Sequence, residues 1–209
     1  MIKIYLVRHG ETEWNRQGLL QGHNDSPLTE KGISQAQFLA QELEELTFDH
    51  IYSSDLKRAI DTAEIINKKK NTPLSTSKLL RERKFGKYEG KPHAVFQNEL
   101  KPYTKQYQSL PPDKKKSFRY PGMESDEEVI DRLLTFISDI QAKHEDKSIL
   151  LVTHSGIIRL ILIHLNVISY ENHFAYKIPQ DEYFVLDLEN DSLSINPYNI
   201  SIHSQSTSL

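Results

Sequence analysis

The apolar residues of this 209-residue chain change their period repeatedly. Short continuous apolar runs alternate with stripes at three- and four-residue spacing, the pattern of a parallel sheet covered by helices. Residues 2–7 predict a buried first strand. Thr29 then offers an N-cap to a helix whose buried stripe is expected at Ile33, Ala36, Ala40 and Leu43. Residues 49–53 predict a second strand, and a helix from about Asp55 follows with Ala59, Ile60, Ala63 and Ile66 on one face. Residues 74–76 give a weak strand signal. Ser125 and Glu128 have the spacing of a capping box ahead of a helix carrying Val129, Leu133, Phe136, Ile137 and Ile140. Residues 148–152 form a continuous apolar strand, with a helix over 156–165 behind it. Two last runs, 183–188 and 192–195, flank Asn190-Asp191 and predict a hairpin on the sheet edge.

Between Gly90 and Gly122 the alternation lapses, and Pro92, Pro102, Pro111, Pro112 and Pro121 accumulate. That stretch is expected to be an inserted cap over residues 91–122. The length suits one core rather than two, so residues 1–200 are expected to form a single domain, with a disordered tail over 201–209. The expected fold class is a three-layer α/β/α sandwich with a mostly parallel central sheet and a small inserted cap.

Composition narrows the function mainly by exclusion. A net charge of −3 with 26% charged residues is an ordinary surface, unlike the basic face of a nucleic-acid binder. The absence of cysteine removes thiol nucleophiles and disulfides and fits a cytoplasmic setting. The N-terminal run lacks a signal-peptide pattern, and His154, Arg159 and His164 interrupt the most apolar stretch, residues 149–168, so no membrane span is expected. A small molecule is therefore the expected partner. Charge is unevenly spread: Lys91 to Arg119 carry seven basic and two acidic residues, a local +5 that leaves −8 for the rest. This segment is expected to attract an acidic substrate group.

In open parallel sheets ligands bind beyond the carboxyl ends of the strands. Three strand ends carry suggestive residues: Arg8-His9-Gly10, Ser53-Ser54-Asp55 with Arg58 one turn on, and Thr153-His154-Ser155-Gly156. Guanidinium groups match phosphate oxygens two at a time. At 4 Å and an effective dielectric of about 20, each attracts a unit anion by roughly 4 kcal/mol before desolvation. Without a thiol, covalent transfer to an imidazole of His9 or His154 is the available route, and it needs no cofactor. The departing alkoxide needs a proton donor, for which Glu82 is the candidate and Glu89 the rival. Two other classes use the same residues. A zinc-dependent hydrolase could draw ligands from His9, His23, His154 and Glu82. A non-catalytic module could hold phosphate with Arg8 and Arg58.

These motifs resemble the histidine phosphatase superfamily, in its phosphoglycerate mutase-like branch. The likeness rests on Arg8-His9-Gly10-Glu11-Thr12 with Trp14-Asn15, then Gln21-Gly22, Asp25, Pro27-Leu28-Thr29 and Gly32. It continues through Ser53-Ser54-Asp55-Leu56 with Arg58-Ala59 and Thr62-Ala63, through Leu80-Arg81-Glu82 with Gly86 and Glu89-Gly90, and through Val152-Thr153-His154-Ser155-Gly156 with Ile158-Arg159. The resemblance implies that His9 is the nucleophile and that Arg8, Arg58 and His154 complete a phosphate pocket. It makes Glu82 the acid and later base, and adds phosphate contacts from Asn15, Gln21, Gly22 and Ser155. Tyr88 stands where many members have tryptophan, and Ser155 where many have glycine. Over Leu80 to Lys91 the likeness is to the fructose-2,6-bisphosphatase type more than to the mutases, so hydrolysis is favoured over mutase-type phosphotransfer.

Overall fold

The computed structural model describes residues 1–170 and 176–196, apart from the side chains of 112 and 113. The expected tail over 201–209 lies outside the described residues. The main elements in chain order are β1 (Ile2–Arg8), α1 (Glu13–Arg16), α2 (Glu30–Glu42), β2 (His50–Ser54), α3 (Lys57–Asn67) and β3 (Leu74–Ser77). They continue with α4 (His93–Glu99), α5 (Lys101–Ser109), α6 (Pro112–Lys115), α7 (Asp126–Lys143), β4 (Ser148–Thr153), α8 (Ser155–His164), β5 (Tyr183–Glu189) and β6 (Ser192–Ile195).

The six strands form one sheet in the order β3-β2-β4-β1-β5-β6. The first four run parallel, and β5 and β6 close one edge as an antiparallel hairpin. Asn190 and Asp191 turn that hairpin in the left-handed region, at φ 48° and 62°, as a two-residue primed turn requires. Alternate residues of the central strands face opposite layers. Ile4, Leu6, Ile149 and Leu151 pack with α7 and α8 residues such as Leu133 and Ile161. Tyr5, Val7, Leu150 and Val152 pack with Leu39, Ala59 and Ala63 of α2 and α3. The sandwich is thus the expected three-layer one.

The register places the chemistry. Arg8 is opposite Thr153, and Ser53 is opposite Val152. The loops after β1, β2 and β4 therefore leave the sheet at one edge.

The buried face of α2 differs from the expected stripe. It is Gly32, Ala36 and Leu39, followed by Leu43, while Ile33 is 39% exposed. A Cβ on residue 32 would lie 2.1 Å from the Glu11 carbonyl oxygen. The bare backbone of Gly32 thus presses against the loop after β1 and turns Ile33 outward. Helix α3 begins at Lys57, close to the expected start near Asp55, and the Asp55 carboxylate just ahead of it is held by Nε and Nη2 of Arg81, both at 2.6 Å.

Residues 91–122 are more regular than expected, since they carry α4, α5 and α6. All but Pro121 of their prolines start helices instead of breaking them: Pro92 and Pro111 are N-caps, Pro112 opens α6, and Pro102 lies in the first turn of α5, where a missing N–H costs nothing. A small core of Leu20, Tyr88, Leu100 and Met123 ties this segment to the loops on either side of it. Its positive charge meets the acidic first turn of α7, through Lys116 with Glu127 at 4.0 Å and Arg119 with Glu128. Among the described residues no helix is long and apolar enough to cross a membrane.

Candidate active site

His9 follows β1 directly and is 3% exposed. Its Nδ1 lies 2.8 Å from the carbonyl oxygen of Gly10. A carbonyl can only accept, so Nδ1 carries the proton and Nε2 keeps its lone pair. The backbone is held on both sides: His9 N–H donates to Thr153 O at 2.9 Å, and Gly10 N–H donates to Thr62 Oγ1 at 3.1 Å. Burial, then the guanidiniums of Arg58 and Arg8, hold the His9 imidazole well below the usual histidine range. It is a neutral, desolvated base.

Arg58, on the first turn of α3, is 1% exposed. The turn over 22–25 wraps its head: Nη2 donates to Gly22 O at 2.8 Å, and Nη1 donates to Asn24 O at 2.7 Å and Asp25 Oδ1 at 3.0 Å. Gly22 thereby positions the guanidinium through its carbonyl. Arg8 donates from Nη1 to Ile178 O at 2.7 Å. Burial pulls Arg8 down to about 10, which leaves it charged at neutral pH.

His154 is the N-cap of α8, fully buried, with its ring edge-on to that of His9 at 5.1 Å between centroids. Burial and then Arg58 hold it well below the usual range. Both its ring nitrogens, Nε of Arg8 and of Arg58, and Oε1 of Gln21 are enclosed without a protein partner. Buried polar groups are normally paired, so the unpaired nitrogens of His154, Arg8 and Arg58 beside His9 are suited to meet a polar ligand.

Glu82 is 9% exposed. Its Oε2 accepts from Gly156 N–H, at the start of α8, at 3.1 Å, and its Oε1 accepts from Arg83 N–H at 2.9 Å. The carbonyl of Glu82 is held by His23 Nε2 at 2.9 Å and Arg132 Nη2 at 3.1 Å. His23, considered above as a metal ligand, thus braces the Glu82 loop. Glu89 accepts from Phe85 N–H at 2.9 Å, and its carboxylate packs against the backbone of Gly22. Among the described residues no three His, Asp or Glu side chains gather as metal ligands. Asn15 lies in α1 and closes a capping box with Thr12, its Oδ1 accepting from Thr12 N–H at 3.2 Å. Ser155 is the first residue of α8.

Sequence reasoning missed the supports. Thr62 had a signal, one turn after Arg58 on the same helix face; it donates to Arg58 O at 2.8 Å. Arg132 and Gln180 had none. Gln180 Nε2 donates to His9 O at 3.3 Å from 171 residues away.

An unprotonated imidazole nitrogen, two buried guanidiniums and a carboxyl group on one sheet edge can bind a phosphoryl group and transfer it, so fold and site suit a phosphoryl-transfer enzyme. The sequence matches the profile of the histidine phosphatase superfamily (branch 1) over residues 4–201, and the chain belongs to that family. It is a phosphoric monoester hydrolase. It is 39% identical over 159 residues to phosphoglycerate mutase-like protein 4 of Arabidopsis thaliana, covering 75% of this chain and 68% of that one. It is 30% identical over 203 residues to phosphoserine phosphatase 1 of Hydrogenobacter thermophilus, covering 97% and 94%. The solved structure of Bacillus stearothermophilus YhfR superposes with a TM-score of 0.82 at 28% identity, covering 93% of this chain and 95% of that one.

Proposed function

We propose that this enzyme hydrolyses phosphate monoesters of small metabolites through a phosphohistidine on His9. The observation that carries this reading is the Nδ1 to Gly10 O hydrogen bond of 2.8 Å, which leaves Nε2 unprotonated in a pocket flanked by Arg58 and His154. Nε2 attacks phosphorus in line, forming the N–P bond as the P–O bond to the alcohol breaks. Glu82 gives the leaving oxygen its proton, and Arg8, Arg58 and His154 stabilise the charge on the equatorial oxygens. Glu82, now a carboxylate, takes a proton from the water that attacks the phosphohistidine, which releases phosphate and restores the acid. Gln21 and Asn15 add donors to the phosphate, and the N-terminus of α8 at Ser155 faces it favourably. No cofactor enters the cycle.

The relatives named above include a phosphoserine phosphatase and a mutase-like protein, which support a small phosphorylated metabolite as substrate. The finer reading, a bisphosphatase of the fructose-2,6-bisphosphate type, rests on the likeness over Leu80 to Lys91. The separate expectation that the basic segment over Lys91 to Arg119 attracts an acidic substrate group is weakened by the ion pairs of Lys116 and Arg119 with α7. A cytoplasmic setting is proposed from the cysteine-free composition. The test is turnover of a panel of sugar phosphates, phosphoglycerates, phosphoamino acids and nucleotides, ranked by kcat/KM. Release of phosphate from at least one small monoester is expected, with loss of about 100-fold or more in Glu82→Gln. A protein that binds these compounds and hydrolyses none would refute the reading.

A further inference from the structure

The two backbone donors that hold the Glu82 carboxylate stand on unequal footing. Gly156 N–H, on Oε2, opens α8 directly behind β4 and is fixed by both elements. Arg83 N–H, on Oε1 at 2.9 Å, belongs to residues 81–85, which lie in neither helix nor strand. A donor on such a segment keeps its place only through what anchors its residue.

The side chain of Arg83 is that anchor. Its Nη2 donates to Oδ1 of Asp126, the first residue of α7, and the pair is nearly closed to solvent, with 18% and 10% of the two side chains exposed. Asp126 is set in turn by the capping box of Ser125 and Glu128 and by its place in the first turn, where the helix dipole favours a carboxylate. The cap over residues 91–122 roofs the pair. Burial and then the Asp126 charge push the Tyr107 hydroxyl up to about 12, and the same two causes raise Tyr170. Both rings therefore stand close to the pair, and Tyr107 is tied to Phe118 and Tyr120 of the cap at 5.7 and 6.3 Å between centroids. In such dry surroundings a lone charge is far costlier than a matched pair, so Arg83 and Asp126 hold each other in one arrangement.

The reaction above gives neither residue a task. We infer that Asp126 is a positioning residue for the acid: by fixing the Arg83 side chain under the cap, it fixes the Arg83 N–H that orients Oε1 of Glu82. The inference rests on Glu82 being the acid of the phosphohistidine reading and adds the contact that aims it.

The experiment measures kcat/KM of wild type, Asp126→Asn, Asp126→Ala, Arg83→Ala and the Asp126→Ala/Arg83→Ala double variant on glycerol 3-phosphate and p-nitrophenyl phosphate. The alkoxide leaving the first needs a proton and the nitrophenolate leaving the second does not, so the ratio of the two reads the acid, whereas a merely structural tie would slow both alike. The ratio should fall about 10-fold in Asp126→Ala and in Arg83→Ala, and about 3-fold in Asp126→Asn, whose amide keeps the shape and an acceptor for Arg83. Asp126→Asn carries the test if the alanine variants do not fold. The double variant should fall no further than the single ones, since all remove one contact. Ratios within about twofold of wild type throughout, or a double variant whose loss is the product of the single losses, would overturn the inference. Glu82→Gln separates the two failures: a lowered ratio there with unchanged ratios in the Asp126 variants refutes only the role of Asp126, and an unchanged ratio in Glu82→Gln removes the acid on which both readings rest.

Discussion

The backbone N–H of Gly156 holds Oε2 of Glu82 at 3.1 Å, and a Cβ at position 156 would stand 2.2 Å from the other carboxylate oxygen. The proposed acid is therefore seated against a residue whose side chain would displace it. Gly156→Ala should push Glu82 aside while leaving His9 and Arg58 in place. The expected loss in kcat is about 10- to 100-fold on an alkyl phosphate, whose leaving group needs a proton, and distinctly less on p-nitrophenyl phosphate, whose leaving group does not. Equal losses on both would detach Gly156 from the acid.

Stability should fall as pH falls. The folded protein keeps His9 and His154 neutral, whereas the unfolded chain protonates them near the ordinary histidine value of 6.5. Above that pH both states bind the same number of protons. Below it the unfolded state binds more, so each histidine removes up to about 1.4 kcal/mol of stability per pH unit. Urea midpoints at about pH 7.5 and about pH 5 check this. A lower midpoint at the acid end, with a shallower dependence in His154→Asn, is expected; a flat profile would contradict it.

Much of this was legible beforehand, and particular residues show why. Residues 148–152 are apolar on both faces because α7 and α8 cover one side and α2 and α3 the other, so the central strand announces itself. Ser125 and Glu128 announced α7, since both halves of a capping box are local. Ile33 misled because what turns it outward is a backbone contact between Gly32 and Glu11, which hydrophobic periodicity does not encode. The helices of residues 91–122 were hidden by prolines that also mark loops. His9, Arg58 and His154 could be brought together because parallel strand ends share an edge. The braces on Glu82 could not, since His23 and Arg132 reach it across 59 and 50 residues without a motif.

Asp25 should matter beyond its modest exposure. Its carboxylate takes the N–H of Lys57 at the start of α3 and Nη1 of Arg58 at 3.0 Å. Asp25→Ala leaves a buried guanidinium without its counter-charge, which should cost about 2–3 kcal/mol of stability, less than a fully buried pair because Asp25 is partly solvated. A loosened Arg58 should also lower kcat/KM by about 10- to 100-fold, with KM rising. Asp25→Asn, which keeps an acceptor, should fall between. Unchanged KM in Asp25→Ala would show that Arg58 holds its place without this contact.

The central claim is that the phosphoryl group passes through Nε2 of His9. The most direct measurement is rapid mixing with a radiolabelled phosphate monoester, denaturation within one turnover, and location of the label by peptide mapping. The account predicts acid-labile, base-stable label on Nε2 of His9 and none in His9→Ala, with turnover of that variant lowered by at least about 1000-fold. Undiminished turnover by His9→Ala, or label on another residue, would contradict it.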